Sequence, residues 1–206
     1  MNVPIAPMLY APTLRYGVLD AEMIDEVVDL ARGIQADEVA AGGTIDFLNH
    51  QDSNAIAWAV LHGAELLEID DQNRAIDIGL RALIRDALAE AMSQKMTDKQ
   101  VAELLRFRFG YSEVHANAIA RTEIRLALGH GSYCGAVSVG MTKKRWLLSN
   151  DGEVCEGCQA NAKCGWLQIS APFPSGALAA VDHVGCRCDI AYTGLPKRDS
   201  YGVLRS

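Results

Sequence analysis

Between Cys155 and Cys188 the chain sets soft metal ligands at close, paired spacing. Cys155-Glu-Gly-Cys158 comes first; a Gly- and Pro-containing span follows, and then His183-Val-Gly-Cys186-Arg-Cys188. Few other features restrict a fold so tightly. The span between the pairs is poor in apolar residues, so a tetrahedral ion gripped by both pairs would supply cohesion that the side chains lack, and zinc suits a Cys/His set best. Five of the six cysteines fall in this stretch, and the sixth is Cys134. C-x2-C spacing reads as a metal site rather than a disulfide framework wherever the compartment is reducing.

Zinc takes four ligands, fewer than the stretch offers. Cys155 and Cys158 can both point inward from one tight turn, and His183 with Cys186 repeats the two-residue gap. Cys188 is an alternative to Cys186, because C-x-C rarely places both sulfurs on one small ion; Cys164 ranks last. A closed set of four leaves no position for water and is structural, whereas a catalytic site keeps three protein ligands, a water and a nearby acid. Glu153 and Glu156 stand beside the first pair and are the candidates for that acid. The H-x-E with P-C-x-x-C of nucleobase deaminases is absent, as are HNH-nuclease and zinc-protease motifs. The residues therefore favour a structural ion.

Charge is unevenly spread. Residues 1–75 carry 13 acidic and 3 basic side chains, and residues 76–206 carry 13 acidic and 16 basic. An acidic front half repels nucleic acid, and a net +3 behind it is a slight electrostatic footprint. No secretory leader opens the sequence and no apolar run reaches membrane-spanning length, so a soluble, cytoplasmic protein with no membrane partner is the expectation.

Residues 1–17 hold three prolines among scattered apolar side chains, as in a strap over the core or an arm docked on a partner. Helical periodicity follows over 20–40, capped at Asp20 with Ile24, Val27, Val28, Ala31 and Ile34 inward, and over 54–68 through Ile56, Val60, Ala64 and Leu67. It recurs over 71–92 through Ile76, Leu80, Leu83, Ile84, Ala87 and Leu88. His50 and His62 read as ordinary surface or packing residues rather than metal ligands. Thr97-Asp-Lys-Gln100 is a capping box for a short helix that Gly110 ends. The next helix runs from Ser112 to about Leu128, where Gly129-His-Gly131 loosens it, although continuation to Val137 fits as well. Lys143-Lys-Arg-Trp-Leu-Leu148 suits an edge strand with its basic triplet in solvent. Brief strands are expected at 165–169 and 190–192. The predicted class is α+β: a mainly helical front, then a small knuckle-bearing part with short strands.

The helix from Ser112 contains Ala120-Arg121-Thr122-Glu123. Glu123 falls on an apolar arc and Arg121 on the opposite side. A carboxylate there acts as a general base or, as favoured here, accepts bonds from a neighbouring backbone or an Arg.

Ala120-Arg-Thr-Glu123 on a helix, Lys144-Arg-Trp146 on a strand, Cys155-x2-Cys158, and then His183-x2-Cys186-Arg-Cys188 resemble, in kind and order, the head morphogenesis (Mu F-like) minor head proteins of tailed bacteriophages. The resemblance covers about residues 74–192, leaving an N-terminal arm with acidic helices (1–73) and a polar tail (193–206). That family usually has Pro after the motif His, where this chain has Val184-Gly185. The resemblance implies a minor capsid protein without enzyme activity, associated with the portal protein and other head proteins. It implies a role in head assembly or genome packaging and ejection, located in the virion after assembly in the host cytoplasm, with packaged DNA a further candidate partner. Cys155, Cys158, His183 and Cys186 or Cys188 would hold structural zinc, while Arg121, Thr122, Glu123 and Trp146 brace the fold. The alternatives are a zinc-dependent hydrolase acting on nucleic acid or peptidoglycan with Glu123 or Glu153 as base, and a zinc-ribbon nucleic-acid binder using Lys143, Lys144, Arg145 and Arg187.

Overall fold

A computed structural model describes residues 21–40, 47–68, 75–150, 154–181 and 183–194. The expected arm, the Asp20 cap, Glu153 and the polar tail from residue 195 onward lie outside these residues, while Thr193 of the expected tail belongs to the last strand. The elements in order are α1 (Ala21–Ala40), α2 (Phe47–His62), α3 (Ile78–Ser93), α4 (Asp98–Phe109), α5 (Glu113–Ser138), β1 (Lys143–Leu147), α6 (Glu156–Lys163), β2 (Leu167–Gln168) and β3 (Asp189–Thr193). This is an α+β fold, helices first and a small antiparallel sheet last.

α5 is the axis of the molecule. Its 26 residues span about 39 Å at the helical rise, and α1, α2, α3, α4 and β3 all pack on it. It does not stop near Leu128: Gly129 and Gly131 mark contact rather than a break. A Cβ on Gly131 would lie 2.6 Å from the Ala55 nitrogen of α2, and one on Gly129 would lie 2.8 Å from the Ala180 carbonyl oxygen. Two backbones meet where only glycine leaves room.

Caps set most of the other helix limits. The Thr97–Gln100 capping box forms as the sequence predicts, and Gly110, at φ 72°, closes α4. Asp77 accepts the Leu80 N–H at 2.7 Å, so α3 starts at Ile78 rather than near Asp71, and Leu83 turns outward, 59% exposed. α2 begins earlier than predicted and ends at His62; Ala64 and Leu67, expected on its face, are buried in the turn beyond it, while Val60 is 40% exposed.

The sheet order is β2-β1-β3, so β1 is the central strand and not an edge. Both neighbours pair antiparallel, Lys144 standing opposite Leu167 on one side and Tyr192 on the other. Strand alternation sends Lys144 and Trp146 inward and Lys143, Arg145 and Leu147 outward. The span between the ligand pairs also buries more than its composition suggests. Phe173, Ala177, Ala180 and Val181 share one core with Ile84, Leu105, Ile119 and Trp146, and Trp146 meets Phe173 edge-on at 5.0 Å. A second cluster joins Val27 and Val28 of α1, Trp58 of α2 and Tyr133 of α5.

Deep in that region His130 stacks on Trp58 with ring centroids 4.5 Å apart, and its Nδ1–H donates to the Leu126 carbonyl at 2.9 Å. Burial holds its pKa down at about 4.

Two outcomes follow. Gly131→Ala should cost about 3 kcal/mol in urea unfolding through overpacking, whereas Gly33→Ala, on an open helix face, should add roughly 0.5–1 kcal/mol. Between about pH 6.5 and 4 the unfolded chain protonates its His130 and the folded chain does not, so acidification should remove stability. The loss reaches roughly 3 kcal/mol at the lower limit and should be absent from the pH profile of His130→Gln.

Candidate metal centre

Cys155 is the N-cap of α6, a helix rather than the tight turn its spacing suggests. Its backbone is extended, and its Sγ accepts the Cys158 N–H at 3.3 Å, as a Ser or Asp cap would. Cys158 stands on the first turn of α6 and points into the core. The second pair comes from the turn at Val184 and Gly185, where the Cys186 N–H donates to the His183 carbonyl at 3.0 Å and Gly185 takes φ 75°. Glycine takes that left-handed conformation at no steric cost and so closes the turn. The His183 Nδ1 lies 2.9 Å from the Val184 carbonyl oxygen. A carbonyl only accepts, so Nδ1 carries a proton and Nε2 is the nitrogen turned to the cysteines and available to an ion.

Bonds of about 2.3 Å to sulfur and about 2.0–2.1 Å to imidazole put tetrahedral ligands about 3.8 Å apart for two sulfurs and about 3.6 Å for sulfur and nitrogen. Cys158 and Cys186 sulfurs are 3.7 Å apart, Cys158 Sγ and His183 Nε2 3.6 Å, and Cys155 Sγ and His183 Nε2 3.2 Å. His183 also hydrogen-bonds to Cys186, and Cys155 to Cys158. The donors fall into two groups whose atoms lie within 4.8 Å of one another, Cys155, Cys158 and His183 in one and Cys158, Cys186 and Cys188 in the other, with Cys158 common to both. Cys188 is the fifth donor of the cluster and its fourth thiol, at the buried side. The space between the five donors is about 20 Å³, room for one ion or one water. These residues can hold a metal ion.

The donors hold protons that an ion would displace. Burial, and then Cys186, push the Cys158 thiol well up. Burial also raises Cys155, but bonds from Cys158 and the nearby His183 outweigh it and leave the thiol below its usual pKa. The hydrogen bond to Cys186 raises His183 to about 9 against the opposing effect of burial.

The other cysteines stand apart. Cys164 caps the end of α6 and donates to the Asn161 carbonyl at 2.8 Å; Cys134 is buried on α5, its thiol pushed up to about 12 by burial. The Arg121-Thr-Glu123 segment does not join the cluster either. Arg121 is exposed, and Thr122 is buried with no partner for its hydroxyl among the described residues. Glu123 is 4% exposed and accepts the Ala64 N–H at 2.9 Å. Ala64 sits at φ 60°, strained for a residue with a side chain, so the carboxylate pins the turn that ends α2. Trp146 lies in the same core cluster as Cys158, Cys186 and Cys188.

Two buried polar side chains carry structure that the sequence reading missed. Lys144 was expected in solvent with its basic neighbours. It is instead fully buried, Nζ donating to the Leu178 carbonyl at 2.7 Å and lying 5.0 Å from the Tyr133 and Phe173 ring centres. Burial lowers its pKa to about 8. Period-2 alternation with Trp146 was the signal that could have found it. Asn161 on α6 brackets Ser175, donating to its hydroxyl at 2.9 Å and accepting its N–H at 3.0 Å; nothing in the sequence marks that pair.

The family model of Phage Mu protein F like protein matches residues 82–191, just over half of the chain, from within α3 to within β3. The chain belongs to this family. It is a Mu F-like head morphogenesis protein, and the matched span contains every member of the Cys/His cluster. No curated protein and no solved structure matches the chain. No described helix is long and apolar enough to cross a membrane.

Replacing Glu123 by Ala should strand the buried Ala64 N–H and cost about 1–3 kcal/mol, while Glu123→Gln, which keeps an acceptor, should retain most of the stability. Urea midpoints for the two variants, with metal content unchanged in both, check the assignment of Glu123 to the α2 turn.

Proposed function

We propose that the protein is a minor structural component of a tailed-phage head, its C-terminal part held by one structural zinc on Cys155, Cys158, His183 and Cys186. The observation that carries this reading is the convergence of Cys155, His183 and Cys186 on Cys158, at donor separations of 3.2–3.7 Å, inside the family-matched span. Zinc fits best because three thiolates and an imidazole are a borderline-soft, four-coordinate set. Bound there, the ion would cross-link the start of α6 to the turn before β3, and Cys188 would lie beside the ligands rather than among them.

A structural rather than catalytic role is supported by four protein donors, which leave no ligand position for water, and by a cavity too small for a substrate. Glu123, the hydrolase candidate, is engaged on the Ala64 backbone. The nucleic-acid reading through the basic triplet loses Lys144, which is buried. Within the head we assign the protein to the portal region, with the portal protein and other head proteins as partners and residues 1–73 as the contacting part. In this reading it serves head assembly or genome packaging and ejection, and DNA in the filled head is a neighbour.

Elemental analysis of the purified chain should find about one zinc, with the cluster thiols shielded until a chelator is added. Cys158→Ser should lose the ion and roughly 4 kcal/mol or more of stability, while Cys188→Ser should keep it. Metal-free protein with freely reactive thiols would overturn the zinc assignment. Absence of the protein from purified virions would overturn the head assignment.

A further inference from the structure

On the side of the molecule formed by α4 and α5, a groove of about 640 Å³ runs between the two helices over the buried Ala102. It shares Glu103 and Arg106 with a second hollow of about 340 Å³ beside Phe107 and Tyr111. The helices are joined by the short Gly110–Ser112 connection and so run antiparallel. That order puts Asp98, Lys99 and Arg121 at one end of the groove and Glu103, Arg106 and Glu113 at the other. All six are exposed, and no ion pair joins any two of them. One end carries net charge of one sign and the other end the opposite sign. At the acidic end Phe107 is 90% and Val114 65% exposed, an aromatic and an aliphatic side chain left in water.

We propose that this groove is a two-fold interface between two copies of the chain, α4–α5 against α4–α5. A two-fold axis through the middle of the groove lays the basic end of each copy on the acidic end of the other. Arg121 then faces Glu113 of the other copy, Lys99 faces its Glu103, and Asp98 faces its Arg106. Every unpaired charge in the groove finds its opposite, and by symmetry each pair occurs twice. A purely acidic or purely basic partner would match half of these charges and repel the rest. Each Phe107 would be withdrawn from water against the start of the other copy's α4. The surface lies away from the Cys/His cluster and shares no residue with it, so the proposal stands independently of the metal centre and of the role in the head.

Sedimentation equilibrium of the full chain, purified with its metal, tests it. The wild type should form a concentration-dependent dimer. Arg121→Glu and Glu113→Arg should each weaken dimerisation by about ten-fold or more, since each reversal creates two like-charge contacts. An equimolar mixture of the two variants should dimerise again, because one Arg121→Glu copy against one Glu113→Arg copy restores both pairs. Unchanged far-ultraviolet circular dichroism establishes that the variants fold; should either lose helicity, Asp98→Lys with Arg106→Glu runs the same cycle. A wild type that stays monomeric at every concentration overturns the proposal, as does a dimer indifferent to both reversals or a mixture that remains monomeric.

Discussion

The backbone of α2 lies directly on α5 at Gly131, closer than any side chain would permit, and much of the remaining structure follows from that approach. With α2 seated there, Trp58 reaches the ring of His130, and the turn after His62 falls beside Glu123. A second close contact a helical half-turn away, where the Ala180 carbonyl meets Gly129, brings the long C-terminal loop onto the same helix. The loop that carries His183 and Cys186 is thus anchored to α5 within a few residues of the ligands. Overpacking at such a contact is costly because neither backbone can yield without carrying its helix along.

Three buried polar side chains fasten irregular segments to regular ones. Glu123 holds the turn after α2, Lys144 holds the Leu178 carbonyl, and Asn161 holds Ser175. In each case a side chain on a helix or strand satisfies a backbone group that no ladder or helix could reach. A buried cation such as Lys144 is tolerable because a carbonyl and two aromatic faces surround the ammonium group. Such groups position loops by leaving a stranded donor or acceptor whenever the segment moves.

Cys158 plays the corresponding part in the metal centre. It is the donor with the most contacts to the others, and it belongs to the same core as Trp146 and Phe173. An ion bound there would be tied through Cys158 and Cys186 to the hydrophobic core and through Cys155 and His183 to the surface. Cys188 on the inner side gives the cluster a fourth thiol, grouped with Cys158 and Cys186.

The sequence by itself determined the chemistry and the class. The paired spacing of Cys155, Cys158, His183 and Cys186 required the two turns to converge, and the periodicity of α1, the Thr97 capping box and Gly110 marked local structure, because local hydrogen bonds and one-face burial are written in neighbouring residues. Only the tertiary structure decided what depends on residues far apart in the chain. It made β1 central, because strand order is set by which neighbours arrive later in the chain. It sent Lys144 inward, because Leu178, 34 residues on, supplies the acceptor that burial demands. It turned the glycines of α5 from apparent breaks into contact points, because their partner is another backbone and not a sequence neighbour. It brought Cys188 into the cluster beside Cys158 and Cys186, because distances around a common centre are not contained in spacing along a chain.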